Sequence, residues 1–308
     1  MIELLLDHDT AGDPMSGLKW SRITTAKVAI ALSDYGIVVS SNTVARLLHQ
    51  MGYSLRVNHK KIPTDSSPDR NQQFLYISDL RQRFHKRGLP IISVDTKKRE
   101  LIGNFKNPGA RWGATPTLVN DHDFRSDAIG IAIPHGVYDV SANRGHVTVG
   151  VSHDTATFAV GSIARWWKQQ GSARYCGAPQ LLLLADTGGS NGCRHRAWKT
   201  ELQSQIADSL GIAVTVAHYP TGASKWNPIE HRLFSEISKN WAGEPLDSYE
   251  KMLAFIQSTT TKNGLSVSAQ LDNAIYLTGI KPTSQELSGL QINSAKILPK
   301  WNYTISPH

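Results

Sequence analysis

Three acidic residues in this sequence stand where side chains from separate elements could meet. Asp95 ends a short apolar run, Asp186 ends a second run that contains four leucines, and Glu230 lies in the first turn of a helical segment after residues 226–228. In an α/β sheet, ligand-binding groups gather outside the carboxyl ends of the strands. If the two runs form adjacent strands, Asp95 and Asp186 lie side by side there. The start of the helical segment can carry Glu230 to the same place.

Three converging carboxylates predict a metal site, because they repel one another unless cations neutralise them. Hard oxygen ligands with open coordination positions suit Mg²⁺ or Mn²⁺. Two such ions ~3.5–4 Å apart can support an in-line phosphoryl transfer. Taken singly, each acid has an ordinary explanation, since Asp often stabilises a turn and Glu favours the first turn of a helix. Only their joint placement in one order of strands predicts the site.

The apolar pattern predicts the elements that would carry these acids. Strands are predicted at 91–95, 101–105, 146–153, 180–186 and 213–217, and helices at 69–88, 156–170, 196–210 and 227–241. From residue 91 the order is β-β-β-α-β-α-β-α, an α/β sheet that begins with antiparallel strands and ends in crossover units. We expect the first two strands to pair and the first and fourth to be adjacent. Residues 106–145, rich in Gly, Pro, Asn and Asp, are predicted to be an insertion.

A small helical unit is predicted before this sheet, over residues 1–64 with a polar linker at 63–68. Thr24 and Thr25 can cap a first helix, and Ser40 and Ser41 a second one. The second helix has an apolar stripe formed by Val44, Leu47, Leu48 and Met51. Its other face carries polar side chains that include Asn42, Thr43 and Arg46. This pattern is typical of a helix-turn-helix whose second helix enters the major groove of DNA, although an ordinary helical hairpin has the same pattern.

The charge of the chain also points to a polyanionic partner. The chain has 33 basic and 25 acidic residues, a net charge of +8 and a pI near 9.4, and the excess lies upstream of residue 241. The predicted DNA-binding residues are Asn42, Thr43, Arg46, Lys60, Lys61, Lys97, Lys98, Lys225 and Trp226.

No apolar run reaches the ~18 residues that span a membrane. Two cysteines without CxxC spacing argue against a disulfide scaffold, and we expect a cytoplasmic protein.

Five segments carry a resemblance to a known family. They are IISVDTKKRELIGNFKN, HDTATFAVGSIARWW, LLLLADTGGSNGCRHRAWK, SKWNPIEHRLFSEISKNW and WNYTI. In this order they resemble the Rhodopirellula-type DDE transposases of bacterial insertion sequences, over residues 12–305. The resemblance implies an RNase H-like catalytic domain at 65–308 with the acid triad Asp95, Asp186 and Glu230. It also implies metal-dependent cleavage of transposon ends, joining of the freed 3′-hydroxyl to target DNA, and a homo-oligomer on double-stranded DNA at the nucleoid.

Two features depart from the family pattern. The chain begins close to the helix-turn-helix, so we expect it to be shortened at the N terminus. Thr187 follows Asp186 at a position where the family usually has a small residue.

Two other functions share parts of this pattern. A DNA-binding protein without activity, a truncated relic of a transposase, would keep the N-terminal unit. The sequence DTG at 186–188 also occurs in aspartic proteases, which need two such carboxylates. This chain would then have to dimerise, and alternating strands and helices are wrong for an all-β protease.

Overall fold

The chain forms two compact units, Met1–Ile62 and Pro63–His308. The computed structural model describes residues 2, 5, 10–12, 19–21, 23–53, 68–111 and 114–308. Within these ranges, no helix has both the length and the apolar character needed to cross a membrane. The predicted contacts Lys60 and Lys61, and residues 63–67 of the predicted linker, lie outside the described residues.

The described residues of the N-terminal unit include two short strands and two helices. Strands β1 (Thr10–Gly12) and β2 (Lys19–Ser21) pair antiparallel, and helices α1 (Thr25–Ser33) and α2 (Ser41–Gln50) follow. The hydroxyl groups of Thr24 and Ser40 cap the two helices, each by accepting a backbone N–H bond of 3.2 Å. These caps agree with the predicted starts of both helices. The helices pack through Val28, Leu32 and Val44, all buried.

The larger unit is an α/β domain built on one mixed sheet. Its strands are β3 (Ile91–Thr96), β4 (Glu100–Ile102), β5 (Gly130–Asp139), β6 (Arg144–Gly150), β7 (Gln180–Asp186), β8 (Ala213–Tyr219), β9 (Ser266–Asp272), β10 (Ile292–Ser294) and β11 (Asn302–Ile305). Its α-helices are α3 (Arg70–Lys86), α4 (Ala156–Trp166), α5 (Ser172–Arg174), α6 (Arg196–Glu201), α7 (Ser235–Asn240), α8 (Tyr249–Gln257) and α9 (Ser284–Ser288). π-Helical turns lie at Trp167–Gly171, Leu202–Asp208 and Glu230–Phe234, and 3₁₀ turns at Arg125–Asp127 and Ser224–Trp226.

The order of strands across the sheet is β10-β11-β8-β7-β3-β5-β6-β9, with β4 paired to β5. Strands β3, β7 and β8 are parallel to one another, β5 runs antiparallel to β3, and β6 runs antiparallel to β5. The sheet thus begins with antiparallel strands and continues through crossover connections, as an RNase H-like domain does. This architecture confirms the predicted fold class, including the adjacent positions of the first and fourth predicted strands, β3 and β7.

Both faces of the sheet are covered at β7, where the four successive leucines alternate between two cores. Leu181 and Leu183 of β7 point into the core formed with α4 and α6, which contains Trp166 and Trp198. Leu182 and Leu184 point into a core on the opposite side with α3. A third core packs Ile229, Leu233, Phe234, Ile237, Trp241 and Met252 against β5 and β6. Strand β7, which carries Asp186, is therefore buried from both sides.

The predicted insertion at 106–145 is wrong in its last part. Residues 130–139 form β5, which pairs with β6 over residues 133–139 and lies directly beside β3. The predicted pairing of 101–105 with the first strand is also wrong, because β4 pairs with β5 instead. Gly130, Pro134 and Gly136 made this strand resemble a turn.

Side-chain packing, rather than a turn, explains why position 136 is a glycine. Gly136 pairs with Asp95 across the sheet. A Cβ atom there would lie 2.7 Å from the ring of Phe234 and 2.8 Å from the side chain of Ile229. At Gly145 of β6, an added Cβ would likewise meet the side chain of Leu233. Two glycines on adjacent strands therefore let the turn Glu230–Phe234 approach the sheet closely.

Candidate active site

Asp95 and Asp186 stand side by side at the carboxyl edge of the sheet. Strands β3 and β7 are parallel, and Ser93 pairs with Leu184. Two residues further along each strand, the same register brings Asp95 next to Asp186. Both residues are only partly buried, at the point where the buried part of each strand ends. The strand order thus brings together two of the predicted acids.

The third acid is held to this edge by a buried asparagine. The side-chain amide of Asn227 donates to Oδ1 of Asp186 at 3.2 Å and to the carbonyl of Val94 at 3.4 Å. Its Oδ1 accepts a short hydrogen bond from the hydroxyl of Ser93. The same hydroxyl accepts the backbone N–H of Ile229 at 3.1 Å. Since Ile229 directly precedes Glu230, Asn227 and Ser93 tie the turn that carries Glu230 to both acidic strands.

The electrostatics of the site reflect this crowding of carboxylates. Burial and then the charge of Asp186 raise the pKa of Asp95 to about 8, and the charge of Glu230 and a hydrogen bond with it act in the same direction. The backbone N–H of Thr96 opposes them by donating to Asp95 at 2.7 Å. Burial also raises the pKa of Asp186 to about 6, against the lowering effect of the Asn227 hydrogen bond. The three acids therefore interact as one cluster.

The donor set of this cluster fits a hard divalent cation. In the ranges that the structure describes, no three His, Cys, Asp or Glu side chains are arranged to hold a metal ion as they stand. The charges that raise the pKa of Asp95 are those of Asp186 and Glu230. A divalent cation would relieve this repulsion, and carboxylate oxygens are the ligands that Mg²⁺ and Mn²⁺ take.

The predicted DNA contacts at the two adjacent lysines differ in their surroundings. The ammonium of Lys97 forms an ion pair with Glu100 at 2.7 Å and lies 4.6 Å from the ring centroid of Trp241. Its side chain is only 10% exposed. Lys98, the next residue, is exposed. Lys98 is thus open to a phosphate, whereas the charge of Lys97 already has partners.

Lys225 and Trp226 form part of a basic and aromatic surface next to Asn227. The indole of Trp226 is 54% exposed and meets the ring of Phe74 edge-on, with 5.9 Å between centroids. The ammonium of Lys225 lies 5.2 Å from the indole centroid, and the guanidinium of Arg70 lies 5.4 Å from that of Phe74. Exposed rings with adjacent cations are suited to stacking on bases and binding phosphates. The ring of His231 is engaged with the carbonyl of Lys225.

On helix α2 the predicted DNA contacts also differ in the exposure of their side chains. Asn42 and Arg46 are exposed. Thr43 is partly buried, and its backbone N–H and hydroxyl both bond the hydroxyl of the cap residue Ser40. Asn42 and Arg46 are therefore the two predicted contacts on this helix whose side chains are free to reach a DNA base.

Comparison with known families decides the identity of the chain. The sequence profile described as the Rhodopirellula transposase DDE domain matches residues 1–307. The chain belongs to this transposase family. The matched region includes Asp95, Asp186 and Glu230, and it confirms the resemblance drawn from the sequence. No curated protein sequence matches the chain.

Several solved structures are similar to this transposase. The Mos1 strand transfer complex aligns over 83% of this chain and 68% of its own chain, with 17% identity and a TM-score of 0.46. The pre-cleavage Mos1 transpososome aligns over the same shares with 16% identity and a TM-score of 0.44. The Mos1 paired-end complex with the left transposon end has 17% identity and a TM-score of 0.42 over the same shares.

Membership of the transposase family removes the aspartic-protease alternative. Asp186 ends a parallel strand within an α/β sheet, which differs from an all-β protease. Thr187, the departure from the family pattern, has its hydroxyl 3.5 Å from that of Thr221.

Three further residues of the site were missed by the sequence analysis: Ser93, Asn227 and His218 acquire their contacts only in the folded sheet. The Asn-Pro pair at 227–228 reads as an ordinary turn signal. The one signal in the sequence that could have indicated a role for Asn227 is its place three residues before the third acid.

Proposed function

We propose that this transposase cleaves DNA at transposon ends and transfers the freed strand to target DNA, with Asp95, Asp186 and Glu230 as its catalytic residues. The observation that carries the proposal is the convergence of these three carboxylates at one sheet edge in a member of a DDE transposase family. Water attacks the phosphate at the transposon end, and a 3′-hydroxyl leaves. That hydroxyl then attacks a target phosphate, and the 3′-oxygen of the target leaves.

The three acids are the residues that would hold the metal, and their neighbours keep them in place. When bound, two Mg²⁺ or Mn²⁺ ions would supply activation of the nucleophile and neutralisation of charge on the leaving oxygen. The N–H of Thr96 fixes one oxygen of Asp95, and the amide of Asn227 fixes one oxygen of Asp186. Asn227 and Ser93 hold the turn of Glu230 against the same strands. These bonds preorganise the carboxylates before substrate arrives.

DNA binding is divided between the two units in this proposal. In Pro63–His308, the exposed side chains of Lys98, Lys225 and Trp226 would hold the strand near the acids. In Met1–Ile62, α2 would act as the recognition helix of a helix-turn-helix, with Asn42 and Arg46 reading base edges. A homo-oligomer assembled on two double-stranded ends would act at the bacterial nucleoid.

The test uses the inverted repeat that flanks the gene as a labelled duplex, with Mg²⁺ or Mn²⁺. Asp186→Asn should reduce nicking by ~1000-fold or more, because a catalytic ligand is lost while the fold is kept. Binding to the same duplex should be unchanged or tighter, since one negative charge near phosphate is removed. Asp121→Asn, which alters an almost fully exposed acid, is the matched control and should nick like the unmodified protein.

Two results would contradict this proposal. Metal-dependent nicking that survives in Asp186→Asn would refute the assignment of the triad. Specific binding of the repeat by the unmodified protein, with no nicking in either metal, would favour a DNA-binding protein without activity.

A further inference from the structure

His218 of β8 lies beside the strand that carries Asp186, and its backbone is fixed from two sides. Its N–H donates to the carbonyl of Trp301 at 3.0 Å. Its carbonyl accepts from the side-chain amide of Gln73 on α3 at 2.8 Å. The residue is completely buried. Neither the peptide group before it nor the one after it is free to shift.

The imidazole of His218 is bonded at both nitrogens. Nδ1 lies 2.8 Å from the backbone carbonyl of Asp186, and Nε2 lies 3.2 Å from the hydroxyl of Tyr303. The indole N–H of Trp198 donates to the same hydroxyl at 3.1 Å. A carbonyl can only accept, so Nδ1 of His218 carries the proton and Nε2 accepts from Tyr303. Trp198, Tyr303 and His218 thus donate in series, and the last hydrogen bond is accepted by the backbone carbonyl of Asp186.

The C-terminal strand supplies two residues of this arrangement, Asn302 and Tyr303. β11 pairs with β8, and Tyr303 stands opposite Val216 in that ladder. Asn302 exchanges two side-chain hydrogen bonds of 2.8 and 2.7 Å with Gln73, the residue that bonds the carbonyl of His218. Gln73, His218 and Asn302 have no exposed surface, and Tyr303 is 2% exposed. A buried polar cluster in which each member is bonded specifies a single geometry.

We propose that His218 is a positioning residue that fixes Asp186 through its backbone carbonyl, and that Tyr303 of the C-terminal strand fixes the ring of His218. Asp186 is the last residue of β7, so its peptide group is where the ladder gives way to a loop. A buried donor on that carbonyl keeps the carboxylate at the angle set by the strand. The WNYTI segment would thus contribute to the active site without touching DNA or metal. This inference rests on the proposed function, because it assumes that Asp186 is a ligand.

The experiment compares Mn²⁺ binding, followed by the rise in melting temperature with Mn²⁺ concentration, and nicking of the end duplex. His218→Ala should weaken Mn²⁺ binding and slow nicking about tenfold, within the range for groups that orient metal ligands. His218→Asn should recover most of both, because its amide can donate from the position of Nδ1. Tyr303→Phe should have a smaller effect of the same kind. DNA binding without metal should not change in any of them.

His146→Asn is the matched control, because His146 is an equally buried histidine on β6 that bonds Ser268 at 2.9 Å. It should lower the melting temperature without changing the Mn²⁺ dependence. Wild-type Mn²⁺ binding in His218→Ala, no recovery in His218→Asn, or an equal loss in His146→Asn would each overturn the proposal. If His218→Ala does not fold, Tyr303→Phe tests the proposal by the same two measurements, and wild-type Mn²⁺ binding in Tyr303→Phe would then overturn it. A wild-type protein that binds Mn²⁺ but does not nick would refute the proposed function alone, since the Mn²⁺ titration still tests His218.

Discussion

The two units of this transposase hold their candidate functional residues in different ways. In Pro63–His308, the acids are fixed by buried polar side chains that join distant parts of the chain, such as Ser93 and Asn227, 134 residues apart. In Met1–Ile62, Asn42 and Arg46 stand exposed on α2, a helix held by a cap and a small core. One site depends on the folding of the whole domain, and the other on a single helix surface.

This difference predicts where the effects of two substitutions should be coupled and where they should add independently. Residues that share one hydrogen-bond network couple strongly, so the loss of one member disturbs the others. Exposed side chains that contact DNA separately contribute increments that nearly add. The comparison therefore predicts large, coupled losses at the acidic edge of the sheet and graded losses on α2.

Among substitutions of the residues that hold the acids in place, the largest effect should come from Asn227→Ala. The substitution leaves the buried hydroxyl of Ser93 and the carbonyl of Val94 without their partner and frees Asp186 and the turn of Glu230. We expect a loss of about 1–3 kcal/mol of folding free energy and ~10–100-fold slower nicking. Urea denaturation and single-turnover cleavage measure the two quantities.

Asn240→Ala is the matched control for this substitution. Asn240 also forms several side-chain hydrogen bonds, to Phe255, Ser258 and Thr259, but it is exposed, and these partners lie on and just after α8 rather than on the strands of the acids. It should leave nicking close to the wild-type rate. If both variants slow nicking equally, the asparagine before Glu230 has no special role, and the contrast between the two units is weaker than the structure indicates.

The parts of the fold that local patterns decide were predictable from sequence. The caps of Thr24 and Ser40 and the two-sided burial of β7 follow from residues adjacent in the chain. Strand β5 was not predictable in this way. A side chain at position 136 would clash with Phe234 and Ile229, which lie nearly 100 residues further along the chain. A local pattern cannot distinguish a glycine required for packing from one required for a turn.

The same limit applies to the candidate site. The positions of Asp95 and Asp186 follow from strand order, so the sequence predicts their proximity. The roles of His218 and Tyr303 depend on β11 pairing with β8, and no pattern in the last 60 residues predicted that strand pairing. Lys97 was chosen for its charge, and only the folded chain reveals its ion pair with Glu100.

The pH dependence of stability gives a second prediction, because His146 is buried in the unit Pro63–His308. Burial lowers the pKa of His146 to about 4 from its ordinary value of 6.5. Between these values the unfolded chain binds a proton that the folded chain does not, so stability present above pH 6.5 is lost as pH falls toward 4. This loss amounts to about 3 kcal/mol. The raised pKa of Asp95 acts in the opposite direction.

Comparison with His146→Asn isolates the contribution of this histidine from that of Asp95. The variant should be less stable than the unmodified protein at pH 7, and the difference should shrink as pH falls from 6.5 toward 4. Urea denaturation at several pH values measures it. A stability difference that stays constant over this range would mean that His146 is protonated in the folded protein or accessible to water.

Substitutions on α2 should have smaller effects, and the effect on sequence preference can be measured separately from the effect on overall DNA affinity. Arg46→Ala should reduce the preference for the terminal repeat over random duplex by ~1–3 kcal/mol, the value of one base-reading side chain. Lys27→Ala removes the same charge from an exposed position on α1, and it should weaken binding to both duplexes alike. Competition binding at fixed salt measures the preference. Equal effects of the two variants on the preference would refute a reading role for α2.

The smallest effect should distinguish two adjacent lysines of Pro63–His308. Lys98 is exposed, and each phosphate that a lysine neutralises contributes about 0.9 to the slope of log K against log salt. Lys98→Ala should therefore lower that slope by about one. Lys97→Ala should leave the slope unchanged and lower stability instead, because it removes a cation from Glu100 and from the face of Trp241. Binding measured from 50 to 200 mM salt distinguishes the two. A reduced slope for Lys97→Ala would mean that its ion pair opens when DNA binds, and that this part of the acidic edge is rearranged by the substrate rather than prepared for it.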